Sequence, residues 1–203
     1  MGAGDNFGAL AAADELLKIA PGSFIGRFGR ARALIRMGNE AEGARELEQA
    51  LALSPKDENA RLVKAKLDFR TGRTEEGLVE LRALSRGRGA IAADAGLNLL
   101  HALHYAGRHE ELEEAVAAGG AWTSEPAAGL HRARATARKD RERGAEELRA
   151  FFASNAPIGD RCYAAFDAVD HLDKLGRYRE AFDLAKAAHA LTPVPIDLGR
   201  GRS

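Results

Sequence analysis

Residues 172–193 read LDKLGRYREAFDLAKAAHALTP and echo residues 34–55, LIRMGNEAEGARELEQALALSP, with Gly, Ala, Leu and Pro at matching offsets. The echo is part of a period. Pro21 and Pro55 lie 34 residues apart, and so do Gly38 and Gly72; Gly107 follows 35 further on, and Gly176 two periods beyond it, at 69. A chain written at a fixed period of this length is an array. Each segment is one supersecondary unit that buries its apolar face only against its neighbours. The segments are built from Ala, Leu, Glu and Arg, with 6 prolines and 6% aromatic residues in 203, which favours helix over strand.

A turn glycine, small residues flanking it and a closing proline at a 34-residue spacing resemble the tetratricopeptide repeat (TPR) family, across nearly the whole chain. The resemblance implies an all-α, right-handed α-solenoid of antiparallel helix pairs, a TPR-like superhelix. In that family helix A leads to a turn Gly at position 15, helix B follows, and Pro stands at position 32. Small residues at positions 8 and 20 let the two helices cross closely. On this register a single array covers 1–203: a half repeat over 4–21, repeats at about 24–57, 58–91, 93–125, 126–160 and 162–195, and a tail over 196–203.

The first two repeats place Ala31 with Gly43, and Ala65 with Gly77, at the crossing points. Leu100 and Leu112 stand there in the third, implying looser packing. The fourth has Ala133, Ala145 and Pro157, with Asp140 in place of the turn glycine, and the fifth has Val169, Ala181, Ala188 and Pro193. Asn39 with Glu42 reads as a capping box, Thr74 as an N-cap and Asp57 as the cap of the second helix A. Trp122 reads as a loop anchor. The segment GDNFGALAAADELLKIAP reads as a turn plus helix B without its helix A, leaving Leu10, Ala13 and Leu17 uncovered, and Phe182 near the other end is expected to be exposed. Such open ends are read in three ways: a piece of a longer protein, ends that associate with something, end-to-end self-association included, or short ragged ends that the array tolerates.

Lys plus Arg equals Asp plus Glu at 30 each, so no net charge draws the chain toward nucleic acid or a membrane. One cysteine, Cys162, excludes an internal disulfide, and no stretch approaches the apolar length of a membrane span. The opening MGAGDNFGALAAADELLK lacks a basic, then apolar, leader, so a cytoplasmic location is expected. HALHYAGRHEELEE (101–114) carries His101 and His104 on one helix face, and His109-Glu110 begins a zincin-like motif. The fifth residue of that motif is Glu113 instead of His, so no metal site is expected. GRGAIAADAG (87–96) lacks both the spacing and the preceding strand of a phosphate loop. No catalytic constellation and no cofactor motif emerges, so the chain reads as a non-enzyme.

One pattern rises above this background. In TPR proteins positions 2, 5, 9, 12 and 13 of helix A line the concave groove. Positions 9 and 13 here are Arg32 and Arg36, Lys66 and Arg70, His101 and Tyr105, Arg134 and Arg138, Asp170 and Lys174. Seven of these ten are Lys or Arg, against 30 in 203 along the chain. Phe28, Leu62 and Phe69 lie between them at positions 5 and 12, with Leu97 and Phe166 further on. The resemblance therefore implies a non-catalytic scaffold holding an acidic peptide or protein in a basic, partly apolar groove. Chaperone-tail-binding TPRs look for Lys at position 5 and Asn at 9; Phe28 and Arg32 stand there instead. Two rival expectations are RNA in the same groove, disfavoured by the neutral charge, and a recruitment segment of a larger enzyme. The latter is styled on bacterial TPR arrays fused to sulfotransferases.

Overall fold

The computed structural model describes residues 3–191, and every regular element among them is an α-helix. In order these are α1 (Ala3–Ile19), α2 (Phe24–Arg36), α3 (Glu40–Leu53), α4 (Glu58–Arg70), α5 (Thr74–Ser85) and α6 (Gly89–Tyr105). There follow α7 (His109–Ala118), α8 (Ala128–Lys139), α9 (Arg141–Phe152), α10 (Ile158–Lys174) and α11 (Tyr178–Leu191). The chain is thus an all-α solenoid of helix pairs. α6 opens at Gly89 and α10 at Ile158, each four residues ahead of the repeat start that the period gives, at Ala93 and Cys162.

Two compact units divide the chain: α1–α6 with residues 119–123, and α7–α11. In the first, each helix packs on the next, and α4 also reaches α6. Ala31 and Ala65 are fully buried where their helix B crosses. A Cβ on Gly77 would sit 2.8 Å from the Ala65 carbonyl oxygen, and one on Gly43 3.2 Å from that of Ala31. The small residues at the two crossing positions therefore meet as the resemblance implied. Ala31, Leu47, Ala60 and Leu67 form the core between α2, α3 and α4, flanked by Phe24, Phe28 and Ile35.

The second unit uses the same device with a shifted contact. A Cβ on Gly144 would lie 2.1 Å from the Ala137 Cα, so α8 and α9 touch backbone to backbone there. Leu130, Ala133, Leu148, Ala164 and Ala168 fill its core, and Ala145, Leu172 and Ala181 a second cluster. Leu100 and Leu112, the large residues that promised looser packing, are both fully buried.

Turns follow from local chemistry. Gly38, Gly72, Gly107 and Gly176 each adopt positive φ, between 69° and 88°, a left-handed conformation in which a Cβ is strained. Asp140 solves the fourth turn differently. Its backbone is extended, it ends α8 and starts α9, and its carboxylate accepts the Arg143 N–H at 3.0 Å. Asp57 caps α4 as expected, accepting from the Ala60 N–H at 2.8 Å.

Other local readings are corrected. Asn39 makes no side-chain cap, and Glu42 accepts from Arg30 Nη2 at 2.9 Å instead of closing a capping box. Thr74 is the first helical residue, with Arg73 in the capping place. α1 is helical from Ala3, so the turn read near its start lies within the helix. For Glu42 the cause is a competing partner: a cation on a neighbouring helix outbids a local N–H for a carboxylate.

Two ion pairs repeat with the period. Arg27 Nη1 reaches Glu46 at 3.0 Å and Arg61 Nε reaches Glu80 at 2.6 Å, and both members of the second pair lie 34 residues after those of the first. Each ties helix A to helix B of its own repeat.

Candidate functional site

In the first unit α2 and α4 present the same face at helical spacing. Phe28, Arg32, Ile35 and Arg36 from α2, and Asn59, Leu62, Val63, Lys66, Leu67 and Arg70 from α4, line one cleft with Asp94 of α6. Its volume is about 370 Å³. Leu62 and Leu67 are buried and form the floor, while Arg32, Arg36, Lys66 and Arg70 are exposed around it. Four cations against the Asp94 carboxylate leave a formal lining charge of +3.

These cations are not equivalent. Lys66 Nζ lies 3.5 Å from Asp94 and Arg70 Nε 2.7 Å from Glu40. Arg32 rests 5.6 Å over the Phe28 ring, which itself stacks on Phe24 at 5.6 Å. Among the described residues neither the Arg32 nor the Arg36 side chain makes a hydrogen bond or an ion pair. A smaller cleft of about 250 Å³ adjoins, lined by Lys66, Phe69, Arg70, Leu81, Asn98, His101 and Ala102. The His101 ring lies 4.4 Å from that of Tyr105. Of the residues expected to bind a partner, Arg32, Arg36, Lys66, Arg70, His101, Phe28, Leu62 and Phe69 thus gather around two clefts sharing Lys66 and Arg70.

The second unit places the remaining two apart in character. Arg134 is 6% exposed and its Nε donates to Asp167 at 2.6 Å, fastening α8 to α10. Arg138 is exposed and shares Glu113 with Lys139, each at 3.1 Å. The Lys139 hydrogen bond, ahead of the Arg138 contact, holds the Glu113 carboxyl below its usual range. Among the described residues no three His, Cys, Asp or Glu side chains are placed to hold a metal ion, and no helix is long and apolar enough to cross a membrane.

The sequence reading missed the counter-charges. Glu40, Asp94, Glu113 and Asp167 lie far in sequence from the cation they meet, at 25 residues for Arg138–Glu113, 28 for Lys66–Asp94 and 33 for Arg134–Asp167. The separations share no fixed spacing, so no single-period scan of the sequence singles these carboxylates out. It missed too the buried Glu46, which gathers Arg27 at 3.0 Å and Arg30 at 2.5 Å, while Arg30 also holds Asp14 at 2.8 Å. Burial would lower the Arg30 pKa, but the bonds and charges of Glu46 and Asp14 outweigh it and raise it.

A solenoid of helix pairs with close-packed small residues and left-handed turn glycines is the TPR fold. Solved structures bear this out. YrrB, a TPR protein with an unusual peptide-binding site, matches with a TM-score of 0.59 at 14% identity, over 90% of this chain and 93% of that one. A chain of the APC/C hetero-tetramer Cut9-Hcn1 matches with a TM-score of 0.70 at 12% identity, over 93% of this chain and 37% of its own length. No family model and no curated protein matches the sequence.

Proposed function

We propose that this chain is a protein-interaction scaffold whose first unit grips an acidic peptide segment in the α2/α4 cleft. The observation that carries the reading is the pair Arg32 and Arg36, two exposed guanidiniums beside an apolar floor, without a hydrogen bond or ion pair among the described residues. A guanidinium fork matches a carboxylate in shape and charge, and an apolar floor rewards a Leu or Phe carried between the acids. Lys66 and Arg70 add charge, though each is shared with Asp94 or Glu40. Phe69 and His101 extend the surface. In the second unit Arg138 offers a lesser grip, and Arg134 serves the packing of α8 on α10. The similarity to YrrB, a protein with a peptide-binding site, supports peptide as the ligand class.

The test is fluorescence anisotropy with a labelled peptide that alternates Glu with Leu and Phe. Wild type is expected to bind it, and Arg32→Glu with Arg36→Glu to weaken binding at least tenfold, circular dichroism remaining helical. Equal binding by both proteins would remove the cleft from consideration. Tighter binding of a labelled RNA oligonucleotide, with affinity falling steeply in salt, would replace peptide by polyanion.

A further inference from the structure

The groove is charged unevenly across its width, and the sequence ladder of cations gave no sign of it. On the α2 bank stand Arg32 and Arg36, with no ion pair among the described residues. On α4, Lys66 and Arg70 are each shared with a carboxylate. The α6 bank carries no Lys or Arg at all between Gly89 and Tyr105. What it offers the cleft is Asp94, whose side chain is half exposed. Asn98 donates to the Asp94 carboxylate at 2.6 Å and to its backbone carbonyl at 2.7 Å, which fixes where that carboxylate points. Its pairing with Lys66 is long, 3.5 Å to each oxygen, against about 2.7–2.9 Å for a well-formed charge-assisted bond. Asp94 therefore keeps acceptor capacity for a second cation.

Resting on the acidic-peptide reading of this cleft, we infer that Asp94 sets its specificity: the preferred partner segment is charge-polarised, with acidic groups over α2, an apolar centre over Leu62, and a Lys, Arg or chain amine over α6. A uniformly acidic segment would set its far end against Asp94, and like charge costs affinity at such a site. A cation there gains Asp94 without disturbing Arg32 or Arg36.

Two acetylated, amidated peptides test this. Both carry Glu at one end and a Leu/Phe centre; the mixed probe ends in Lys and the acidic probe in Glu. Affinities are measured by calorimetry at about 0.15 M salt, where charges beyond roughly 8 Å are screened. Asp94→Asn, which keeps the shape, is expected to shift the ratio of the two affinities toward the acidic probe by about fivefold, and Asp94→Lys by tenfold or more. Asp173→Lys makes the same change in net charge on an exposed position of α10 and is expected to leave the ratio unchanged. An unchanged ratio in Asp94→Lys, or an equal shift in Asp173→Lys, would overturn the role of Asp94 while leaving the cleft as an anion grip, provided Arg32→Glu with Arg36→Glu weakens both probes. Failure of both probes to bind wild type at millimolar concentration would overturn the inference together with the reading beneath it.

Discussion

Trp122 is the one tryptophan of the chain, 3% exposed, and it lies on the Cα of Gly96. A Cβ at Gly96 would stand 1.9 Å from the indole Cδ1, so even alanine must push the ring out. Gly96→Ala is expected to cost about 1–3 kcal/mol, as overpacking does, and to red-shift the tryptophan emission of the native state. A melting curve and an emission spectrum check both. His171 offers a test in solution pH. Burial, more than any neighbour, lowers its pKa from 6.5; Asp170 and Asp167 oppose that, and Lys174 and Arg141 reinforce it. Its Nδ1 has no hydrogen-bond partner in the interior. Below pH 6.5 the unfolded chain binds a proton that the folded chain refuses, so stability is full above that pH, falls as pH drops toward the folded pKa, and then levels. His171→Gln is expected to flatten the thermal midpoint in that window. The carboxylates of Glu113 and Glu180, whose pKa values lie below 4.5, lose their contribution only at lower pH and so do not confuse the result.

At the scale of elements, the same ion pair occurs twice in different settings. Glu46 is 7% exposed at its side chain and serves Arg27 and Arg30; Glu80, one period on, is 28% exposed and serves Arg61. Removing the buried charge leaves Arg27, only a quarter exposed, without its carboxylate, while Arg30 keeps Asp14 and Glu42; water replaces the partner of a more open pair. Glu46→Gln is expected to cost about 2–3 kcal/mol and Glu80→Gln about 0.5–1 kcal/mol, read from urea midpoints. The helix pairs were legible because the period, the turn glycines and the small crossing residues are local signals repeated along the chain. The candidate cleft was legible only as a list of positions. Whether Arg36 or Arg134 faces solvent free of a counter-ion depends on Asp167 or its absence on another helix, which no window around either arginine contains. The capping box at Asn39 was lost for the same reason: Glu42 met Arg30, a cation from another helix.

For the molecule as a whole, an array in which helices touch mainly their neighbours unfolds piecewise more readily than a single-core domain. Leu172 is fully buried with Ala145 and Ala181 in the second unit, whereas Trp122 belongs to the first. Leu172→Ala is expected to cost about 3 kcal/mol and to lower the far-ultraviolet circular dichroism midpoint more than the midpoint of Trp122 fluorescence. Coincident shifts would mean that the chain unfolds as one cooperative block. The interleaving of the two units was not legible in the sequence at all, since a strict period predicts a cut at a repeat boundary. Instead residues 119–123 return to the first unit after α7 has been given to the second. This has a consequence for birth on the ribosome. The first unit cannot seat Trp122 on Gly96 when α6 emerges; it must wait until residue 123 has cleared the exit tunnel, and α7 spends that interval as a tether between a half-closed fold and the chain still being made.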